Sequence, residues 1–412
     1  MNKNFNQFQM NVDRDLVALG VPSERILEIR VQSPVSVDQN ERPHLNLALV
    51  LDRSGSMGGD KLDYVKQAAR HVLNLLQEQD SVALIAYDDE INLLSPSIKV
   101  TSINRTEITR RIAQLEPGGS TNLSGGWLAG CQEAASAAQE GTINRTLLLT
   151  DGLANAGIID LEELAQHAKE LSRRGISTST FGVGEGFNEH LLEAMSNQGG
   201  GNFYYIDTPK AIPDLFLREF KELAAVTASE VEISLTFPSN WVLQVPGGWR
   251  TQFSEGKLRI FLGNLVSGQT QEIYIKLVVP ATRNLGEMVL TASVTGKAEN
   301  GLQVENQTQV IVRSVEQAEV EAAPQRQEIV KRFTLVYLAE IATEALKLER
   351  HGEREKASQL LIKTIAEYHV FMSPVEIDKF QNMAERMKHG MDERDRKQSH
   401  YTSYNQKRGR EQ

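Results

Sequence analysis

The chain has 412 residues, enough for two or three domains with cores of their own. Its formal net charge of −10 argues against a nucleic-acid binder, which requires a concentrated basic surface. Its one cysteine, Cys131, excludes an internal disulfide and fits a reducing compartment.

The opening residues, MNKNFNQFQMNVDRDL, contain no apolar h-region and no small-residue cleavage pattern. No run approaches the roughly 18 apolar residues that a membrane span requires. N-x-S/T sequons begin at Asn104, Asn122, Asn144 and Asn306, and without an export signal they are read as chance. The expected setting is the cytoplasm.

In chain order, ILEIRVQ alternates apolar and polar residues, and segment 1–40 is expected to supply strands to a β-sandwich. From residue 45 the pattern changes. LNLALVLD (45–52), SVALIAYD (81–88), TLLLTDG (146–152), STSTFGVG (177–184) and NFYYID (202–207) read as strands buried on both faces. Amphipathic helices separate them. Leu62, Val65, Ala69, Val72, Leu73 and Leu76 form one apolar stripe, and INRTEITRRIAQL, GGWLAGCQEAASAAQ and DLEELAQHAKELSRRG read the same way. Asp160 is the expected N-cap of the last of these, with Gly175 as its stop. Strands alternating with helices predict a doubly wound, mostly parallel α/β sheet over 44–226, with ligands at the carboxyl ends of the strands.

After the helix AIPDLFLREFKELAAV (211–226) the period returns to two. VEISLTF, WVLQV, KLRIFLG, QEIYIKLVVP, EMVLTASVTG and TQVIVRSV predict an antiparallel sandwich over 229–315, into which the α/β domain is inserted. Residues 316–326 read as an acidic linker and 327–398 as a helical region. That region would hold two helices around a His-Gly-Glu turn and a third, DKFQNMAERMKHGMDERDRK, after Pro374. The polar end, 399–412, is expected to be disordered.

The chemistry concentrates where strands end. Asp52-Arg53-Ser54-Gly55-Ser56 leaves the first buried strand, Gly118-Gly119-Ser120-Thr121-Asn122 precedes a helix, and Asp151-Gly152 ends another strand. Five oxygen donors on three loops suit a hard cation such as Mg²⁺, which takes octahedral oxygen coordination at roughly 2.0–2.1 Å. The sixth position stays open. The competing reading is that Asp52, Ser54 and Ser56 merely form a turn and helix cap.

These residues resemble the metal-ion-dependent adhesion site of the von Willebrand factor type A family. Asp-x-Ser-x-Ser falls on Asp52, Ser54 and Ser56, the distant threonine on Thr121, and the second aspartate on Asp151. The likeness covers roughly residues 44 to 226, and the whole layout resembles soluble bacterial proteins that set this domain within a β-sandwich. It implies hydroxyl ligands from Ser54, Ser56 and Thr121, with Asp52 and Asp151 acting directly or through water. Mg²⁺ or Mn²⁺ is the expected ion, Ca²⁺ less so. Hydroxyls and waters leave the ion electrophilic, so a partner's Asp or Glu carboxylate would gain by filling the open position.

Other motifs carry less. Gly182-Val183-Gly184-Glu185-Gly186 lacks the spacing of a dinucleotide loop and follows the wrong strand. No nucleophile elbow or phosphate loop occurs. His71 and His167 sit on amphipathic helices, and Cys131 reads as buried packing. Trp127, just after the threonine loop, is expected near the metal rim. Asp88-Asp89-Glu90 reads as a solvated acidic turn. A metal-assisted hydrolase would need a general base, and none recurs in the three loops. The leading expectation is therefore a non-enzymatic, metal-dependent protein-interaction module, a scaffold or adaptor inside the cell. The alternative is an accessory subunit of a separate AAA-type ATPase, because this chain has no ATPase motif of its own.

Overall fold

The computed structural model describes residues 5, 7–35, 42–281, 286–298 and 301–410. Residues 1–4, 6 and 36–40 of the N-terminal segment, 282–285 and 299–300 of the expected sandwich, and 411–412 of the tail lie outside the described residues. The chain opens with strands β1 (Gln7–Val12), β2 (Leu16–Ala18) and β3 (Ser23–Gln32). The α/β domain follows. Its strands are β4 (His44–Asp52), β5 (Ser81–Tyr87), β6 (Ile91–Lys99), β7 (Thr142–Thr150), β8 (Ile176–Val183) and β9 (Gly200–Ile206). They lie side by side in the order β6-β5-β4-β7-β8-β9, all parallel except β6, which runs antiparallel to β5.

Helices α1 (Asp60–Leu75), α2 (Ser102–Ala113), α3 (Leu123–Ser136), α4 (Leu161–Arg173), α5 (Glu189–Gln198) and α6 (Ile212–Ala224) cover the two faces. The pleat of β4 divides the work. Leu45, Leu47, Leu49 and Leu51 pack on the α1, α2 and α6 side, while Ala48 and Val50 face α3, α4 and α5. Both faces are thus buried, which is why β4 reads as one apolar run. Asp160 caps α4 by accepting the Glu163 N–H at 2.8 Å, and Gly175, at φ 80°, follows its end. Strand β6 and helix α5 were not expected. INLLSPSIK alternates weakly because it is a half-exposed edge strand, and EHLLEAMSNQ is too short to show a stripe.

Beyond α6 come β10 (Val226–Thr236), β11 (Val242–Gln244), β12 (Arg250–Ser254), β13 (Lys257–Val266), β14 (Thr270–Val279), β15 (Gly286–Ala298) and β16 (Gln303–Val315). They form a four-stranded sheet, β1-β3-β14-β11, and a six-stranded sheet, β12-β13-β10-β15-β16-β2. Pairing is antiparallel throughout, apart from β2 running parallel to β16. Leu27, Ile29 and Ile275 of the first sheet share one core with Ile233, Leu258 and Leu290 of the second. The N-terminal β3 pairs with β14 over ten positions, Ser23 to Gln32, so the chain leaves these sheets for the α/β domain and returns.

Helices α7 (Gln317–Ala322), α8 (Gln327–Arg350), α9 (Arg354–Tyr368), α10 (Pro374–His389) and α11 (Glu393–Lys407) complete the chain. Three expectations need correction here. The linker 316–326 contains α7, which buries Val320. The third predicted helix is two: α10 stops before Gly390 at φ 94°, and Asp392 caps α11 by accepting the Asp395 N–H. Residues 399–407, assigned to a disordered tail, are instead helical, with His400 and Tyr404 each 1% exposed. Among the described residues no helix is long and apolar enough to cross a membrane.

The docking of α11 combines buried ion pairs with ring contacts of Tyr401 and Tyr404 to Phe203 of β9. Lys397, fully buried, donates to the Phe187 carbonyl at 2.6 Å and to Glu189 at 2.8 Å. Lys407 and His400 both meet Glu193, at 3.0 and 2.5 Å. The Tyr404 hydroxyl accepts the Phe203 N–H at 3.0 Å. Burial opposes the charge on Glu189, yet Lys397 and Arg350 hold its carboxyl down at about 2.

Candidate functional site

Parallel strands deliver their carboxyl ends to one rim, so loops that directly follow β4, β5 and β7 become neighbours. Asp52 is the last residue of β4 and is buried. Its Oδ1 accepts the Ser54 N–H at 2.8 Å and its Oδ2 accepts the Thr150 hydroxyl at 2.7 Å. Burial raises its pKa, these two bonds pull it back, and Asp151 raises it further. After Asp52 the chain forms a single 3₁₀ turn, Gly55–Met57, which sets the Ser54 and Ser56 Oγ atoms 3.3 Å apart. Ser56 Oγ donates to Asp151 Oδ1 at 2.6 Å. Two loops distant in sequence are thereby joined by their site residues.

The glycine-rich loop completes the rim. Gly55 N–H donates to the Gly119 carbonyl at 2.9 Å, and Gly118 N–H to the Arg53 carbonyl at 2.7 Å. A Cβ on Gly118 would fall 1.7 Å from Asp88 Oδ2, so the loop lies against that carboxylate only because position 118 has no side chain. Thr121 N–H donates to Asn155 Oδ1 at 3.0 Å. A Cβ built on Gly152 would lie 3.2 Å from Thr121 Oγ1 and 4.0 Å from Ser56 Oγ, which measures how closely the three loops converge. All five residues singled out in the sequence, Asp52, Ser54, Ser56, Thr121 and Asp151, therefore stand at one end of the sheet.

Sequence reasoning missed the residues that hold this rim together. Asp88 was expected to be solvated but is 3% exposed. It pairs with Arg53 at 2.9 Å and accepts the Gly119 N–H at 3.1 Å, while Asp89 accepts the Ser120 N–H at 3.2 Å. Its position at the end of β5, level with Asp52 and Asp151, was the available signal. Lys61, in the first turn of α1, forms an ion pair with Asp151 Oδ2 and donates to the Ser56 carbonyl at 3.2 Å. Trp127 needs the opposite correction. It is fully buried, its Nε1–H donates to Thr178 Oγ1 at 3.1 Å, and it packs under α3 away from the rim. One helical turn beyond Asn122, the residue faces the sheet and not the loop. Cys131 is buried as expected, and that burial pushes its thiol up to about 12.

A mostly parallel sheet between two helix layers, with hydroxyls and carboxylates gathered at its strand ends, defines a doubly wound α/β domain with a candidate site at its rim. Residues 46–218 match the von Willebrand factor type A domain family, so the chain carries such a domain. An uncharacterised Escherichia coli protein, YfbK, is 32% identical over 50% of this chain and 36% of its own length. An uncharacterised Synechocystis protein is 31% identical over 54% of this chain and 52% of its own. The chain thus spans between about a third and about half of these relatives. A human inter-alpha-trypsin inhibitor heavy chain is 28% identical over 54% of this chain and 25% of its own. Two solved structures share the fold over nearly the whole length. The von Willebrand factor type A protein from Catenulispora acidiphila has a TM-score of 0.69, 15% identity and coverage of 94% and 96%. The ArnB paralog VWA2 from Sulfolobus acidocaldarius has 0.64, 15%, and 98% of both chains.

Proposed function

We propose that the chain is a metal-dependent protein-interaction module, a scaffold or adaptor in which Asp52, Ser54, Ser56, Thr121 and Asp151 hold a divalent cation. The observation that carries this reading is the convergence of two carboxylates and three hydroxyls from three loops on one rim. That donor set is all oxygen and fits a hard ion, Mg²⁺ or Mn²⁺ before Ca²⁺. The Lys61 ammonium group against Asp151 Oδ2 supports it, because one of the proposed ligand carboxylates already attracts a cation. A bound ion with an open position supplies an attachment point for a partner's Asp or Glu carboxylate. The protein's own part is positional: Asp88 and Arg53 fix the glycine loop, and Thr150 and the Ser54 N–H orient Asp52.

The test is titration calorimetry with Mg²⁺ and Mn²⁺ on the native chain and on Asp52→Ala with Ser54→Ala. A parallel pull-down with and without EDTA identifies the partner, an AAA-type ATPase among the possible catches. Removing two ligands is expected to weaken metal binding by more than about 100-fold, since changes one shell further out already cost 10–100-fold. Equal titration curves would refute the site.

A further inference from the structure

At the opposite end of the parallel sheet, the α/β domain, the antiparallel sheets and the C-terminal segment enclose a polar cleft. A cavity of about 240 Å³ adjoins a wider one of about 660 Å³, and Gly200, Arg250, Phe261 and Asn264 belong to both walls. Together they fall in the range of roughly 300–1,000 Å³ usual for small-molecule sites.

Four arginines reach the inner cavity: Arg145 from β7, Arg250 from β12, and Arg408 and Arg410 just past α11. Two have counter-charges. Arg145 lies 3.8 Å from Glu219, and Arg410 pairs with Glu222 at 2.5 Å. Among the described residues, the other two hydrogen-bond to neutral partners only. Arg250 donates to Ser172 Oγ at 3.3 Å, while Arg408 donates to Asn197 Oδ1 at 2.6 Å and the Gly248 carbonyl at 3.3 Å. The carboxylates that act on them from farther off are already engaged. Glu232 holds Arg259, Glu170 holds Arg173, and Glu193 and Glu340 hold Lys407.

Aromatic rings fix both guanidinium planes, Arg250 over Phe261 at 4.1 Å and Arg408 over Trp249 at 4.2 Å. Among the described residues, the buried Nε atoms of Arg408 and Arg145 have no hydrogen-bond acceptor. Burial weakens the hold of Arg250 and Arg408 on their protons, and for Arg250 the neighbouring Arg173 adds to the effect. Desolvated charge without a counter-ion is expensive, and an anion entering the cleft would relieve it.

We propose that this cleft binds a small phosphomonoester through Arg250 and Arg408. A phosphomonoester carries about −1.5 to −2 at neutral pH, so one group matches two uncompensated cations. Its oxygens accept the paired N–H donors that a guanidinium presents in a plane. The wider cavity takes the organic part.

The experiment is calorimetry and thermal unfolding of the full chain in EDTA, so that no metal at the other end contributes. The probes are glycerol 3-phosphate, inorganic phosphate and succinate at constant ionic strength. Saturable binding of glycerol 3-phosphate is expected, weakened roughly tenfold or more in Arg250→Gln, with Arg250→Lys between the two. Arg250 lies on an edge strand, and circular dichroism checks that both variants fold. Absence of saturable binding, or unchanged affinity in Arg250→Gln, would overturn the site. Succinate binding as tightly as glycerol 3-phosphate would overturn the assignment to phosphate.

Discussion

The carboxyl and amino ends of the same parallel sheet carry opposite chemistry. At the carboxyl end, Asp52, Asp88 and Asp151 are buried among hydroxyls and glycines, with Arg53 and Lys61 drawn in as partners. At the amino end, Arg145, Arg250, Arg408 and Arg410 line a cleft that two glutamates only half neutralise. The rim is built within one domain, from loops that leave adjacent strands and from the glycine-rich loop between α2 and α3. The base draws on three parts of the chain. A parallel sheet thus offers two separate workplaces, one supplied by its own loops and one by whatever packs beneath it.

The strongest test of their independence lies between them. Trp127→Ala removes a fully buried indole from the face under α3 and should cost about 3–5 kcal/mol of stability, read by denaturant unfolding. Metal affinity, measured where the variant is still folded, should stay unchanged. A selective loss there would restore Trp127 to the rim. Next comes Lys397→Met, which orphans one oxygen of buried Glu189. It should cost about 3 kcal/mol, at the low end for breaking a buried pair because Arg350 stays 2.6 Å from the other oxygen. Limited proteolysis should then release the C-terminal segment first. Asp88→Asn should cost only about 1 kcal/mol, since the amide still accepts a hydrogen bond, but should weaken metal binding roughly tenfold by loosening the glycine loop.

Acid supplies the mildest probe. Burial, and then His400, lower His190 from its ordinary 6.5 to about 3, and its ion-paired neighbours hold Glu189 at about 2 against an ordinary 4.5. Both folded-state values lie below the unfolded ones, so the unfolded chain binds more protons. Stability should fall as pH drops from about 6.5 toward 3 through His190, and from about 4.5 toward 2 through Glu189. The slope is at most about 1.4 kcal/mol per unit for each group. Stability that does not change across this range would mean α11 is held by other contacts.

Composition and periodicity alone determined the α/β domain, its five buried parallel strands and the residues at their ends. Strands buried on both faces are continuous apolar runs, and a rim loop begins where such a run stops, so Asp52 and Asp151 were legible as strand-end carboxylates. Tertiary structure decided the rest. Asp88 became a brace because the glycine loop folds against it, and Trp127 turned inward because α3 meets the sheet one turn after its cap. The helix α11 has almost no apolar stripe. Its buried face carries Lys397, His400 and Lys407 beside Tyr404, and it reads as solvated until Glu189 and Glu193 of a distant helix supply the counter-charges. Local sequence records which side chains dislike water. It does not record which charges will find a partner once the chain has folded.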